Sequence, residues 1–239
     1  MSMRYEPNLG LLEIAITYVC NVKCNNCCTL STQAPTQMTE NITLEAIQRF
    51  IAESVEVSYP WKWIKLHGGE PTLHPEFLEI CRLLADYRNQ HNPTCELSVC
   101  SNGSRMDKVN AALALGFTPQ VSVKVKTNKD ISGAWMPYVR VNESPKDLGM
   151  EPIDCYVPND CGLGLNNDGF YPCAPIAGAA RVFHYITPCK HVRDITVENL
   201  RTLLAHCEHC GFAIKQPRAA EQVTSPTWDA KLKEYNASR

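Results

Sequence analysis

Thirteen of the 239 residues are cysteine, and the placement of those thiols constrains the chain more than any other feature. A disulfide framework is one use for them, but the count is odd and the opening residues MSMRYEPNLG carry no apolar core of an export signal. The expected compartment is therefore the reducing cytosol, where disulfides are disfavoured, and a chain this long has no need of such staples. Ligation of a metal or an iron–sulfur cluster is the reading that remains. The first three cysteines form Cys20-x3-Cys24-x2-Cys27. Three closely spaced thiolates hold three irons of a cubane and leave the fourth iron open. Zinc, the alternative, prefers four ligands in paired C-x2-C knuckles, and no fourth partner lies close by in sequence. Cys28 adjoins the motif and reads as a packing or spare thiol.

Around that loop, strand-like and helix-like runs alternate as in parallel β/α units. Residues 11–16 read as a first strand. Residues 43–51 read as a helix capped by Thr43, with Glu45 suited to its N-terminal dipole. Residues 61–66 alternate with period two, and residues 76–87 carry an apolar stripe at Phe77, Ile80, Leu83, Leu84 and Tyr87. A strand over 95–100 is closed by Ser101-Asn102-Gly103, and a helix over 109–115 is stopped by Gly116. Residues 121–125 and 138–141 read as two more strands. Cys81 and Cys95 then fall on a helix and a strand, as core packing. The functional segments follow carboxyl ends of strands, where β/α barrels place active sites. The expected fold is α/β: an open, partial (β/α) TIM-like barrel over residues 1–148, about a hundred residues short of an eightfold barrel. Beyond it glycine, proline and cysteine rise, so residues 149–212 read as a small C-terminal cysteine-rich domain. Residues 213–239 read as a tail with a short helix over 227–235, in which Trp228 is an anchor or a chance surface aromatic.

Cys20-Asn21-Val22-Lys23-Cys24-Asn25-Asn26-Cys27 after the first strand, with Gly68-Gly69-Glu70-Pro71 after the second, resembles the radical S-adenosylmethionine (radical SAM) superfamily. Either motif alone misleads; the ordered pair at consecutive strand ends is specific. The resemblance implies that Cys20, Cys24 and Cys27 hold a 4Fe-4S cluster whose open iron takes the amino and carboxyl groups of S-adenosyl-L-methionine. Reductive cleavage then gives methionine and a 5'-deoxyadenosyl radical that abstracts a substrate hydrogen. It also implies that Gly68, Gly69, Glu70 and Pro71 bind the methionine amino group, the glycines by close backbone approach and Glu70 as a negative acceptor. Ser101 and Asn102 match a position where polar side chains meet the ribose or the methionine carboxylate. Ser122 and Lys124 are further candidates for that duty, and Val141 for lining the adenine. The family often has an aromatic residue before the third cysteine; here it is Asn26.

Later in the chain stand Cys155, Cys161, Cys173, Cys189 and the pair Cys207-x2-Cys210. The arrangement resembles the auxiliary-cluster appendage, of the twitch or SPASM type, carried by some of the superfamily, with spacing similar to that of 2-deoxy-scyllo-inosamine dehydrogenases. The resemblance implies a second 4Fe-4S cluster on Cys161, Cys173, Cys207 and Cys210, with Cys155 as a substitute for Cys161. Structural zinc is the alternative, since zinc shares this ligand grammar. Full cysteine ligation leaves no open iron, which suits a cluster that accepts an electron from a substrate radical and favours net oxidation. In an epimerase a free thiol, Cys100 or Cys189, would instead return a hydrogen atom. Arg140 is the candidate for binding or polarising a substrate oxygen.

A net charge of -2 gives no basic footprint for nucleic acid, and no apolar run is long enough to span a membrane. Only ten residues precede the first strand-like run, so a leader-binding domain is not expected, which favours a small sugar- or aminocyclitol-like substrate. The expected partners are that substrate and a one-electron donor such as flavodoxin or ferredoxin. A ribosomal-peptide-modifying enzyme and a non-enzymatic metal-binding module are the rival classes.

Overall fold

The computed structural model describes residues 5–36, 40–121, 141–153, 155–214 and 223–238. Ser122, Lys124, Arg140 and the expected strand at 138–141, Val141 apart, lie outside them. Six strands form one sheet in the order β4-β3-β2-β1-β5-β6. They are β1 (Leu11–Thr17), β2 (Trp63–Gly68), β3 (Glu96–Ser101), β4 (Thr118–Val121), β5 (Leu163–Asn166) and β6 (Gly169–Tyr171). All neighbours are parallel except β5 and β6. Among the described residues β4 and β6 are edges, so the sheet is an open, partial barrel.

Local chemistry explains the elements. Helix α1 (Leu44–Glu56) starts where the Thr43 hydroxyl accepts from the Ala46 N–H at 3.1 Å, with Glu45 in its first turn, a cap typically contributing about 1 kcal/mol. Helix α2 (Phe77–His91) buries Phe77, Ile80, Cys81, Leu84 and Tyr87 on one stripe. Helix α3 (Met106–Ala114) ends at Gly116, whose φ is +83°. Arg88 donates there to the Gly116 and Leu115 carbonyls, satisfying groups that a helix end leaves open.

Strand alternation sorts the sheet's two faces. Leu12, Ile14, Ile16, Ile64, Leu66, Leu97 and Val99 join the helices in a first core, which also takes Cys81 and Cys95. The opposite, concave face is polar: Glu13 pairs in register with Lys65, and Lys65 with Ser98.

The chain beyond residue 148 does not simply hang beside the barrel. The short helix α4 (Val157–Asp160) leads into β5, which pairs parallel with β1, and β6 returns antiparallel. Leu163, Leu165, Phe170 and Val192 complete the first core. Helix α5 (Ala174–Ala180) is wholly buried in a second core. One short helix, α6 (Val197–Arg201), is followed by a 3-10 turn over Leu204–His209. The tail forms α7 (Pro226–Ala237), where Trp228 and Tyr235 are buried and the Trp228 indole N–H donates to the His209 carbonyl; Trp228 is an anchor. Among the described residues no helix is long and apolar enough to cross a membrane.

The turn into β5 is tight: Gly162 has φ +79°, and a β-carbon there would lie 2.2 Å from the Leu11 carbonyl oxygen. Gly162→Ala should therefore cost about 1–3 kcal/mol, seen as a lower denaturant midpoint with an unchanged slope. An unchanged midpoint would contradict the β1–β5 junction.

Candidate active site

The site begins where β1 ends. Beyond Thr17 the chain turns into the cysteine loop, and the end of β2 is pressed against that turn. The Gly69 N–H donates to the Thr17 carbonyl and the Glu70 N–H to the Val19 carbonyl, both at 2.8 Å. A β-carbon on Gly68 would sit 1.9 Å from the Thr17 oxygen, and one on Gly69 would sit 2.4 Å from the Val19 oxygen. The two glycines thus serve the approach of one protein backbone to another.

Glu70, 0 % exposed, has both carboxylate oxygens engaged by protein donors. One accepts from the Thr72 N–H, the Thr72 hydroxyl and the Ser101 hydroxyl; the other accepts from the Asn102 N–H at 2.6 Å. Ser101 in turn accepts from the Gly103 N–H. Through these bonds Glu70 and Ser101 clip the β2 and β3 ends together, with Pro71 buried beside them in a short 3-10 turn. The Asn102 amide reaches the cysteine loop, donating to Asn21 Oδ1 at 2.9 Å and lying 3.9 Å from Cys20 Sγ.

Cys20, Cys24 and Cys27 are free, partly exposed thiols of one loop. Burial, then the neighbouring Cys27, pushes the Cys20 thiol up to about 11; burial, Cys27 and Cys20 push Cys24 up to about 12. Three thiols whose ionised forms would repel one another suit a cationic iron centre that compensates their charge on ligation. Asn26 is buried and left-handed, at φ +51°, a conformation that asparagine tolerates well. Its side-chain oxygen accepts from the Val223 N–H, tying the loop to the tail segment. Arg181 adds a second tie, with its guanidinium 4.0 Å over the Tyr18 ring and bonded to Glu40, the Ala34 carbonyl and Tyr235.

The concave face below holds groups that sequence reading passed over. The Lys65 ammonium bonds Glu13 at 2.5 Å and lies 4.5 Å from the Trp63 ring centroid. Burial alone would depress Lys65, but Glu13 outweighs it and holds the ammonium above the usual lysine value. An interior ion pair contributes little net stability, and this one joins two central strands in register. His67 is 9 % exposed, burial lowers its pKa, and its Nε2 has no hydrogen-bond partner. The period-two alternation that should have flagged Glu13, Lys65 and His67 was visible; only the sign of the face was not.

A pocket is lined by Cys155, Cys173, Cys207 and Cys210 with apolar walls that include Val157, Pro158, Pro172, Pro175 and Phe212. Cys161 is not among its walls. Helix α4 stands between Cys155 and Cys161, and Cys161 has Glu13 and Lys65 as its strongest charged neighbours. Cys28 and Cys100 lie near it: burial, then Cys27, Glu13, Cys100 and Cys161, raises the Cys28 thiol. Cys189 bridges Phe170 through its backbone and does not line the pocket. Val141, expected at the adenine, packs in the second core, where its carbonyl accepts from the Gly211 N–H. Because β6 runs antiparallel to β5, Tyr171 returns to the level of Gly164 and Glu13, and a β-carbon on Gly164 would lie 2.7 Å from the Cys173 carbonyl oxygen. Among the described residues no group of three or more His, Cys, Asp or Glu closes tightly enough for a single metal ion; a zinc shell is not preformed in either set.

The profile of the Radical SAM superfamily matches residues 14–144. The chain belongs to the radical SAM superfamily. Its family cofactors are S-adenosyl-L-methionine and a 4Fe-4S cluster, and the free thiols of the first loop fit that cluster. Curated relatives are named GTP 3',8-cyclase: that of Pasteurella multocida is 32% identical over 122 residues, 51% of this chain and 34% of its own length. That of Actinobacillus pleuropneumoniae serotype 5b is 29% identical over 105 residues, 44% of this chain and 29% of its own. The matches thus span about a third of those relatives' length. Among solved structures, BtrN in an open conformation is similar at a TM-score of 0.49 and 14% identity, covering 89% of each chain. BtrN in complex with AdoMet and 2-DOIA is similar at 0.47 and 12%, covering 87% of this chain and 84% of that one.

Glu70→Ala would leave three buried donors and one half-buried donor unmatched. It should destabilise the cofactor-free protein by on the order of 3 kcal/mol, measured by denaturant unfolding. A purely cofactor-binding role leaves that value untouched.

Proposed function

We propose that this radical SAM protein is an oxidoreductase that dehydrogenates a small polar substrate, sugar- or aminocyclitol-like. In this reading an auxiliary 4Fe-4S cluster on Cys155, Cys173, Cys207 and Cys210 takes the substrate's second electron. The observation that carries the reading is the gathering of those four thiols around one pocket. Four thiolates complete a cubane's outer ligation and leave no iron for substrate, so electron transfer is the role that fits.

Bound at Cys20, Cys24 and Cys27, the family's cofactors supply a 5'-deoxyadenosyl radical that abstracts a hydrogen atom. The chain's own residues do the rest. The Gly68–Gly69 crossing and the Glu70 clip hold the cofactor loop, with Asn102 beside Cys20. Glu13, Lys65 and His67 face the interior and orient the substrate, and the low dielectric there strengthens each polar contact. Ser122, Lys124 and Arg140 belong to the proposal as cofactor and substrate contacts on their sequence position alone. A flavodoxin- or ferredoxin-like donor would supply the first electron. The likeness to GTP 3',8-cyclases covers about a third of their length, and so supports the first-loop chemistry rather than their substrate.

A second reading, redox-neutral epimerisation, is favoured by one observation. Cys100 sits at the concave face near Lys65 and Glu13, placed to return a hydrogen atom to a substrate radical. Turnover in deuterated water separates the two: oxidation gives product without solvent deuterium, whereas isomers carrying it establish epimerisation.

Anaerobically reconstituted protein should hold about eight irons per chain, from two cubanes, and release 5'-deoxyadenosine after dithionite reduction. Cys24→Ala should abolish that release. Cys155→Ala should lower the iron to about four per chain and Cys161→Ala should leave it at about eight; the reverse pattern would restore Cys161 as the ligand.

A further inference from the structure

Tyr5 is 3 % exposed, and its hydroxyl is buried without a hydrogen-bond partner. Its ring belongs to the first core, so packing accounts for the ring but not for the oxygen. A phenol left unpaired in a core is destabilising, and a phenylalanine would fill the same space without that cost. The segment around Tyr5 runs beside the four-cysteine pocket. The Asn8 N–H donates to the Pro158 carbonyl at 2.9 Å, and Pro158 is one wall of that pocket. The ionisable groups acting on the Tyr5 phenol are Cys173, Cys207, Cys189 and Arg201. Two of these four are pocket thiols.

A neutral thiol is a weak acceptor. A thiolate bound to iron carries negative charge, and a hydrogen bond to a charged acceptor is roughly twice as strong as a neutral one. We infer that the Tyr5 hydroxyl donates a hydrogen bond to a ligating sulfur, Cys173 or Cys207, and thereby raises the reduction potential of the second cluster. Hydrogen bonds to the sulfurs are among the recognised controls of such potentials. The direction follows from charge: the reduced cluster is more negative, so a donor at its sulfur stabilises it more than the oxidised form. A higher potential suits a cluster that takes an electron from a substrate radical. The inference rests on the four-cysteine reading above.

The test uses the full chain, reconstituted anaerobically, as wild type and as Tyr5→Phe. Iron per chain is counted, and each cluster's midpoint potential is followed by electron paramagnetic resonance during a redox titration. The expected result is equal iron, an unmoved first cluster and a second cluster shifted to more negative potential. Exchangeable deuteron coupling to the second cluster, seen in wild type after transfer to deuterated water, should weaken in the variant. Full iron with an unmoved second potential overturns the role of Tyr5 alone. Loss of the second cluster's iron in Tyr5→Phe marks a packing role and also overturns it. Wild-type protein with only about four irons overturns the four-cysteine reading and this inference with it.

Discussion

The contact on which the site depends is one between two stretches of backbone. Gly68 and Gly69 lie so close to the exit of β1 that any side chain there would overlap the Thr17, Tyr18 or Val19 carbonyls. That approach extends the β1–β2 pairing by two hydrogen bonds beyond the strands themselves. It gives the cysteine loop a rigid base, which Glu70 then joins to the end of β3 through Ser101 and Asn102. Positions that look like cofactor contacts in sequence are thus partly the scaffold that makes cofactor contact possible. Preorganisation of this kind lets a loop of small polar residues and thiols hold one geometry before anything binds.

Most of the barrel was legible because its signals are local. The Thr43 cap, the stripe from Phe77 to Tyr87 and the stop at Gly116 each rest on a few neighbouring residues, and each appears where it was expected. The later part was harder because its pattern depends on long-range pairing. Residues 163–166 are Leu-Gly-Leu-Asn in a glycine-rich stretch, and only their neighbour β1 makes them a strand. Which thiols share the pocket was hidden for a similar reason. Cys155 and Cys161 both suit the spacing, and they are set apart by α4, a single turn with Pro158 near its start, which sequence periodicity does not reveal.

The concave face offers the same lesson in reverse. Alternation on β1 and β2 was plain in the sequence, yet a lysine and a glutamate there look like solvated positions. The register Glu13–Lys65–Ser98 places them side by side instead, and Trp63 covers the row by donating to Ser98 at 2.7 Å. Charge inside a small barrel is costly unless it is matched, and here the match is made between adjacent strands.

The antiparallel return of β6 has a consequence for the spacing of the two thiol groups. It brings the chain back from the loop end of the sheet until Tyr171 lies beside Gly164, itself in register with Glu13. A β-carbon on Gly164 would meet the Cys173 carbonyl oxygen at 2.7 Å, so backbone is pressed on backbone there as well. A hydrogen-bonded sheet stretches very little, and the offset along β1 between that contact and Thr17 becomes a constant of the architecture, indifferent to which loops shift around it.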